Sequence, residues 1–227
     1  MEHKMLQLQP RLQLLADLVP QGARLADIGT DHGYIPVYLL QRAHIASAIA
    51  ADVGREPLQH AVRTAEEYGV DGIDFRLCDG LAAIEKEETD CVVIAGMGGS
   101  TIAHILRDGM EKIRPARLLL QPNVALAEVR RTLCELNYRI NDERLVQAAG
   151  RFYTIISAVP GHAVYDETQL AIGPVILEKR PPELAAYAAF KVRVARKALA
   201  GAQKSERDVQ QTFLDEIRLW EPLMTND

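Results

Sequence analysis

The chain has 227 residues, 48% of them hydrophobic and 25% charged, with a formal net charge of −5. That length and apolar content suffice for one α/β core plus an accessory element, and the acidic balance excludes a protein that holds nucleic acid by bulk charge. No apolar run approaches the span of a membrane helix, Met1-Glu2-His3-Lys4 lacks the apolar core of a signal peptide, and Cys78, Cys91 and Cys134 read as buried, reduced thiols of a cytoplasmic protein. The six histidines show no metal-ligand spacing, so no metal site is expected.

In chain order, apolar spacing of three to four residues predicts helices near 10–19, 33–43, 55–68, 99–112 and 124–136. Between the first two runs Leu25-Ala-Asp27-Ile-Gly29-Thr-Asp31-His32-Gly33-Tyr34, an apolar strand leading through a glycine turn into an amphipathic helix. This is the arrangement of a nucleotide-cofactor loop. A dinucleotide fingerprint brings bare backbone N–H groups to a pyrophosphate, yet here Asp31 replaces the middle glycine and Asp27 precedes the turn. Two carboxylates beside a diphosphate cost several kcal/mol at an effective dielectric of about 20. They suit S-adenosylmethionine, which carries an ammonium and a sulfonium and no phosphate.

Ile45 to Asp52-Val53 reads as a buried strand ending in an acid about twenty residues beyond the turn, the spacing at which a carboxylate reaches ribose hydroxyls. Phe75-Arg-Leu-Cys-Asp79-Gly80 ends a third strand where an acid and backbone amides would hold adenine, although Asp-Gly is also an ordinary turn dipeptide. Cys91 to Ile94 is an apolar strand opening into Ala95-Gly96-Met97-Gly98-Gly99, glycines that permit close backbone approach to a ligand. A fifth strand, Arg117 to Asn123, stops at Pro122. Glu143–Gln147 and Phe152–Val159 form a hairpin around Gly150.

Strand and helix alternating five times before an antiparallel pair gives an α/β, doubly wound, Rossmann-like sheet with its ligand at the strand C-termini. The terminal hairpin favours a methyltransferase over a dehydrogenase by analogy of fold. The expected organisation is a methyltransferase domain over 1–160, a linker over 161–182 and a coiled-coil-like helical hairpin over 183–227, interrupted at Gly201-Ala-Gln-Lys-Ser205. Lys191, Arg193, Arg196 and Lys197 form a basic stripe with two readings, a solvated helix face or a phosphate track. Arg107, Lys112, Arg114, Arg117, Arg130 and Arg131 make a second basic zone.

Leu25-Ala-Asp-Ile-Gly-Thr-Asp-His-Gly-Tyr-Ile-Pro36, Ile94-Ala-Gly-Met-Gly-Gly99 and Leu120-Gln-Pro-Asn123 resemble the bacterial tRNA (adenine(22)-N1)-methyltransferase family. The resemblance covers most of 8–178 and thins in the C-terminal helices. It implies methylation of a D-loop adenine in tRNA, with S-adenosylmethionine held by Asp27, Gly29, Asp31, Asp52, Val53, Asp79, Gly80, Ala95, Gly96, Met97 and Gly98. Asp31 is the candidate to stabilise charge on the methylated base, with His32 and Tyr34 beside it; Tyr34 reads equally as a core aromatic. Arg11, Asn123 and the basic stripe are the candidate tRNA contacts, Arg11 alternatively tying its helix to the loop. The alternatives are a methyltransferase of small molecules or proteins, and a non-catalytic nucleotide-binding module. With no obvious dimer interface, a monomer is expected.

Overall fold

The computed structural model describes residues 4–202 and 207–225, so the first three residues of the leader reading and most of the predicted break at 201–205 lie outside the described residues. The chain divides into two compact units, Met1–Val175 and Ile176–Asp227.

The first unit carries α1 (Pro10–Leu18), β1 (Arg24–Ile28), α2 (Tyr34–Gln41), β2 (Ser47–Asp52), α3 (Arg55–Glu67), β3 (Ile73–Leu77), β4 (Cys91–Met97), α4 (Gly99–Ile113), β5 (Arg117–Pro122), α5 (Leu126–Glu135), β6 (Tyr138–Ala148), β7 (Arg151–Pro160) and α6 (Glu167–Ile172). The seven strands lie in the order β3-β2-β1-β4-β5-β7-β6. The first five are parallel, and β7 and β6 close the edge antiparallel. This is the predicted doubly wound sheet with its terminal hairpin.

The parallel strands are apolar on both faces because helices cover both. Val92 and Ile94 of β4 pack with Ile102, Leu106 and Met110 of α4 and Val129 of α5. Cys91 and Val93 point the other way, into Leu15 of α1 and Ile35 and Leu39 of α2. The strand order reverses between β1 and β4, and the crevice at the strand C-termini there is where such sheets bind ligands.

Two segments depart from the reading of the sequence. Strand β6 begins at Tyr138, five residues before the predicted Glu143, and carries a register shift between Ile140 and Asp142. The polar run Asn141-Asp142-Glu143 breaks the alternation that signals a strand. The expected linker holds α6 and α7 (Pro174–Lys179). Helix α6 is set by a capping box: the Asp166 carboxylate accepts from the Gln169 N–H, and the Gln169 side chain accepts from the Asp166 N–H.

The second unit contains α8 (Leu184–Gly201) and α9 (Arg207–Trp220). Tyr187 meets Trp220 edge to face at 5.2 Å, and Lys191 pairs with Glu216 at 2.8 Å. Val192, Ala195 and Trp220 are buried, whereas Val209 is exposed. Among the described residues no helix is long and apolar enough to cross a membrane.

Candidate active site

Asp27, the penultimate residue of β1, is buried. The Thr30 hydroxyl donates to its Oδ2 at 2.7 Å. Burial pushes the carboxyl up to about 6; the Thr30 bond opposes this and the charge of Asp52 adds to it. Gly29 follows with φ 71, and the Met97 methyl occupies the space a Cβ would need. Asp31 is also left-handed, at φ 50, a conformation aspartate tolerates better than most residues.

Gly33 opens the way for α3: a Cβ there would lie 3.0 Å from the Ala61 Cβ. This close approach brings His60 beside the turn. His60, His32 and Tyr34 stack in one column, with ring centroids 5.0 and 5.1 Å apart and interplanar angles of 10° and 14°. His32 Nε2 lies 3.7 Å from Asp31 Oδ2. The sequence reading left His60 without a role, because nothing in its spacing ties it to His32. Its Nδ1 is buried without a hydrogen-bond partner among the described residues. Ligand atoms of Asp31, His32 and His60 fall within 4.8 Å of one another.

Asp52 sits at the tip of β2. Its Oδ1 accepts from the Gly54 N–H at 2.8 Å and its Oδ2 from the Asp31 N–H at 3.4 Å, which leaves acceptor capacity on both oxygens. Val53 is 72% exposed beyond it. The third arm is Ala95-Gly96-Met97, with Gly96 at φ 79. The fourth is α1 and the segment before it. Gln41 accepts from the Leu6 N–H at 2.9 Å and Arg42 donates to the Leu6 carbonyl at 3.1 Å, which holds residues 6–9 along the site.

These arms enclose a cavity of about 610 Å³. Of the residues singled out from sequence, Arg11, Asp27, Gly29, Asp31, His32, Tyr34, Asp52, Ala95, Gly96 and Met97 line it. Tyr34 is partly exposed there, so the core-aromatic reading does not hold. Thr30, Leu6–Gln9, Leu12 and Tyr68 also line it and were not foreseen.

Asp79 and Gly80 line a different cavity of about 270 Å³, with His104, Asp108 and Lys112. Gly80 has φ 51 and packs on Ile105 of α4, so this Asp-Gly serves as a turn against the helix. Gly98 is the N-cap of α4. Asn123 stands exposed at the rim, donating to the Gly96 carbonyl at 2.7 Å.

In the second basic zone Arg107 and Arg131 are exposed, and most of the cations have partners. Arg130 is buried against Glu143, Arg131 pairs with Glu167, Arg107 with Glu135, and Lys112 and Arg114 donate to backbone carbonyls. In the stripe on α8, Lys191 is paired with Glu216 and Arg196 with Glu221. Arg193 and Lys197 are exposed.

A family profile described as a methyltransferase domain matches residues 8–156. The Bacillus subtilis (strain 168) tRNA (adenine(22)-N(1))-methyltransferase is 39% identical over 175 residues, 75% of this chain and 74% of that protein. The crystal structure of the Bacillus subtilis m1A22 tRNA methyltransferase TrmK superposes with a TM-score of 0.86 at 30% identity, covering 97% of this chain and 100% of that one. A Streptococcus pneumoniae protein crystallised with S-adenosyl-L-methionine superposes with a TM-score of 0.88 at 33% identity, covering 96% and 100%. A carboxylate-lined cavity at the reversal of a methyltransferase sheet and relatives matched over most of their length agree: the chain belongs to the tRNA (adenine(22)-N1)-methyltransferase family.

Proposed function

We propose that the protein transfers a methyl group from S-adenosylmethionine to N1 of adenine 22 in tRNA. The observation that carries the donor assignment is Asp27, a buried carboxylate raised to about 6 with a second carboxylate, Asp52, nearby. A cation entering the cavity relieves both the desolvation and the repulsion; a diphosphate worsens them. The residues present therefore fit the donor. Asp27 and the Gly29 turn would hold its amino-acid end, Asp52 its ribose hydroxyls and Ala95-Gly96-Met97 the wall beside its methyl. When bound, S-adenosylmethionine supplies an electrophilic methyl group.

The protein's work is then to align and to stabilise charge. Adenine N1 has a free lone pair at neutral pH, so no strong base is needed beforehand. Attack leaves positive charge on the base, spread towards its exocyclic amino group. The Asp31 carboxylate, 63% exposed at the cavity, is placed to stabilise that charge as it develops. The target base must leave its stack to reach this point, and the outer face of Tyr34 offers it an aromatic surface. The substrate sets the location, the cytoplasm, and we infer a monomer, which light scattering checks. Val53, Asp79, Gly80 and Gly98, just beyond the tips of β2, β3 and β4, would extend the donor site there.

The assignment is tested by incubating unmodified tRNA with methyl-labelled S-adenosylmethionine and digesting it to nucleosides. Label in 1-methyladenosine is expected; label in N6-methyladenosine, or in protein only, overturns it. Binding should also depend on pH. The free protein holds a proton on Asp27 below about pH 6, so donor affinity should rise about tenfold between pH 5 and 7.5. Asp27→Asn should flatten that rise in calorimetric titrations. In the ligand-free protein the same raised value favours folding below 3.8, the ordinary carboxyl value, and that contribution is lost as pH climbs through about 6.

For the tRNA, Arg193 and Lys197 are the stripe residues best placed for phosphate contacts, with Lys191 and Arg196 shared with acids of their own unit. Neutralising all four should raise the KM for tRNA and flatten its salt dependence while leaving donor affinity unchanged. Unaltered tRNA affinity at low salt would return the stripe to a solvated helix face.

A further inference from the structure

We propose that Gln121 is a positioning residue that fixes the polarity of the Asn123 amide, so that Asn123 presents its oxygen to the exocyclic amino group of the target adenine. The inference rests on the methyl-transfer reading above and adds to it how adenine is selected.

Gln121, the penultimate residue of β5, has no exposed surface. Its Oε1 accepts from Arg11 Nη1 at 2.5 Å across 110 residues of sequence. A guanidinium only donates. The oxygen end of the Gln121 amide therefore faces Arg11, and the nitrogen end faces Asn123. Nε2 donates to Asn123 Oδ1 at 3.0 Å, and Asn123 Nδ2 donates to the Gly96 carbonyl at 2.7 Å. Each bond sets the next, from a group that cannot accept to a carbonyl that cannot donate. Arg11 is itself held over the Tyr153 ring at 5.4 Å.

An exposed asparagine is ordinarily free to turn its amide over, and this one is locked from both sides. After those bonds Oδ1 retains one lone pair, at the rim beside Gly96, which lines the cavity. The reacting edge of adenine carries the N1 lone pair and an amino donor. An acceptor next to the amino group holds N1 in register. It also gains strength as positive charge spreads to that nitrogen in the transition state. Guanine would set its O6 against the same oxygen, at the cost of two facing acceptors.

The test is a cycle between protein and substrate. Wild-type protein and Gln121→Glu are compared in single-turnover methylation of tRNA carrying either adenine or unsubstituted purine at position 22. Purine retains N1 and lacks the amino group. Glutamate keeps the Arg11 bond and the shape, but offers Asn123 only acceptors, so the Asn123 amide turns over. Wild-type protein should slow about tenfold when the amino group is removed. Gln121→Glu should slow about tenfold on adenine and show little further loss on purine, with donor affinity within about twofold. Should that variant fold poorly, Gln121→Met removes both Gln121 bonds without adding charge and leaves Asn123 held by the Gly96 carbonyl alone, so a smaller loss of amino-group dependence than in Gln121→Glu is expected, and full wild-type dependence would overturn the inference. Independent, additive losses in the folded variant, or full activity, would overturn the inference. Failure of the wild-type protein to methylate adenine at all would instead overturn the assigned reaction.

Discussion

Asp31→Asn is expected to bind S-adenosylmethionine within a few-fold of wild type and to lower kcat by about 10² or more. Two roles are open to a carboxylate in this turn, holding the donor's cationic end or stabilising the methylated base. The structure separates two acids of unlike character. Asp27 is buried and bonded to Thr30, while Asp31 is exposed at the cavity. The buried acid suits a ligand that stays in the site, and the exposed one is open to a base arriving from solvent. Asparagine keeps the shape and tolerates the left-handed backbone at φ 50, so the substitution removes charge without straining the turn. Calorimetric affinity and single-turnover methylation on the same variant decide. A collapse of affinity with turnover restored at saturating donor would move Asp31 to donor binding.

The second large effect lies away from the site. Arg130 and Glu143 are both fully buried, joined Nε to Oε1 at 2.8 Å. Arg130 also donates to the carbonyls of Leu170, Ala171 and Ile172 at the end of α6, and Glu143 Oε2 accepts from the Val175 N–H at 3.0 Å. Gly173 is required beside them, since a Cβ there would lie 2.6 Å from Glu143 Oε2. Arg130→Met should therefore cost about 3–5 kcal/mol, because it takes the guanidinium away from a buried carboxylate and from three backbone carbonyls. Arg130→Met with Glu143→Met should cost less than the sum of the single variants. Urea unfolding with an unchanged slope measures this; a single-variant cost under about 1 kcal/mol would contradict it.

What was legible in the sequence was what is local. The glycine turn, its two acids and the acid ending β2 are contiguous or set at the fixed length of one βαβ unit, and all of them meet in the cavity. What was hidden is what the fold brings together. Nothing local links His60 to His32, since their stacking depends on how closely Gly33 lets α3 approach. Gln121 meets Arg11 through tertiary packing alone. Arg130 reads as a surface cation because its partner and the carbonyls it binds lie on other elements. Asp79-Gly80 carries a local pattern that suits a cofactor contact, and tertiary packing sets Gly80 on Ile105 at the lining of a second cavity, which the sequence does not show.

Methyl transfer to a named base is the central claim, and reverse transcription reads it directly. Methyl at N1 blocks Watson–Crick pairing, so a primer extended along enzyme-treated tRNA should stop beside position 22. The stop should vanish in a transcript with guanine at 22, and label uptake should vanish with it. Undiminished uptake by that transcript, or stops at other adenines instead, would contradict the account.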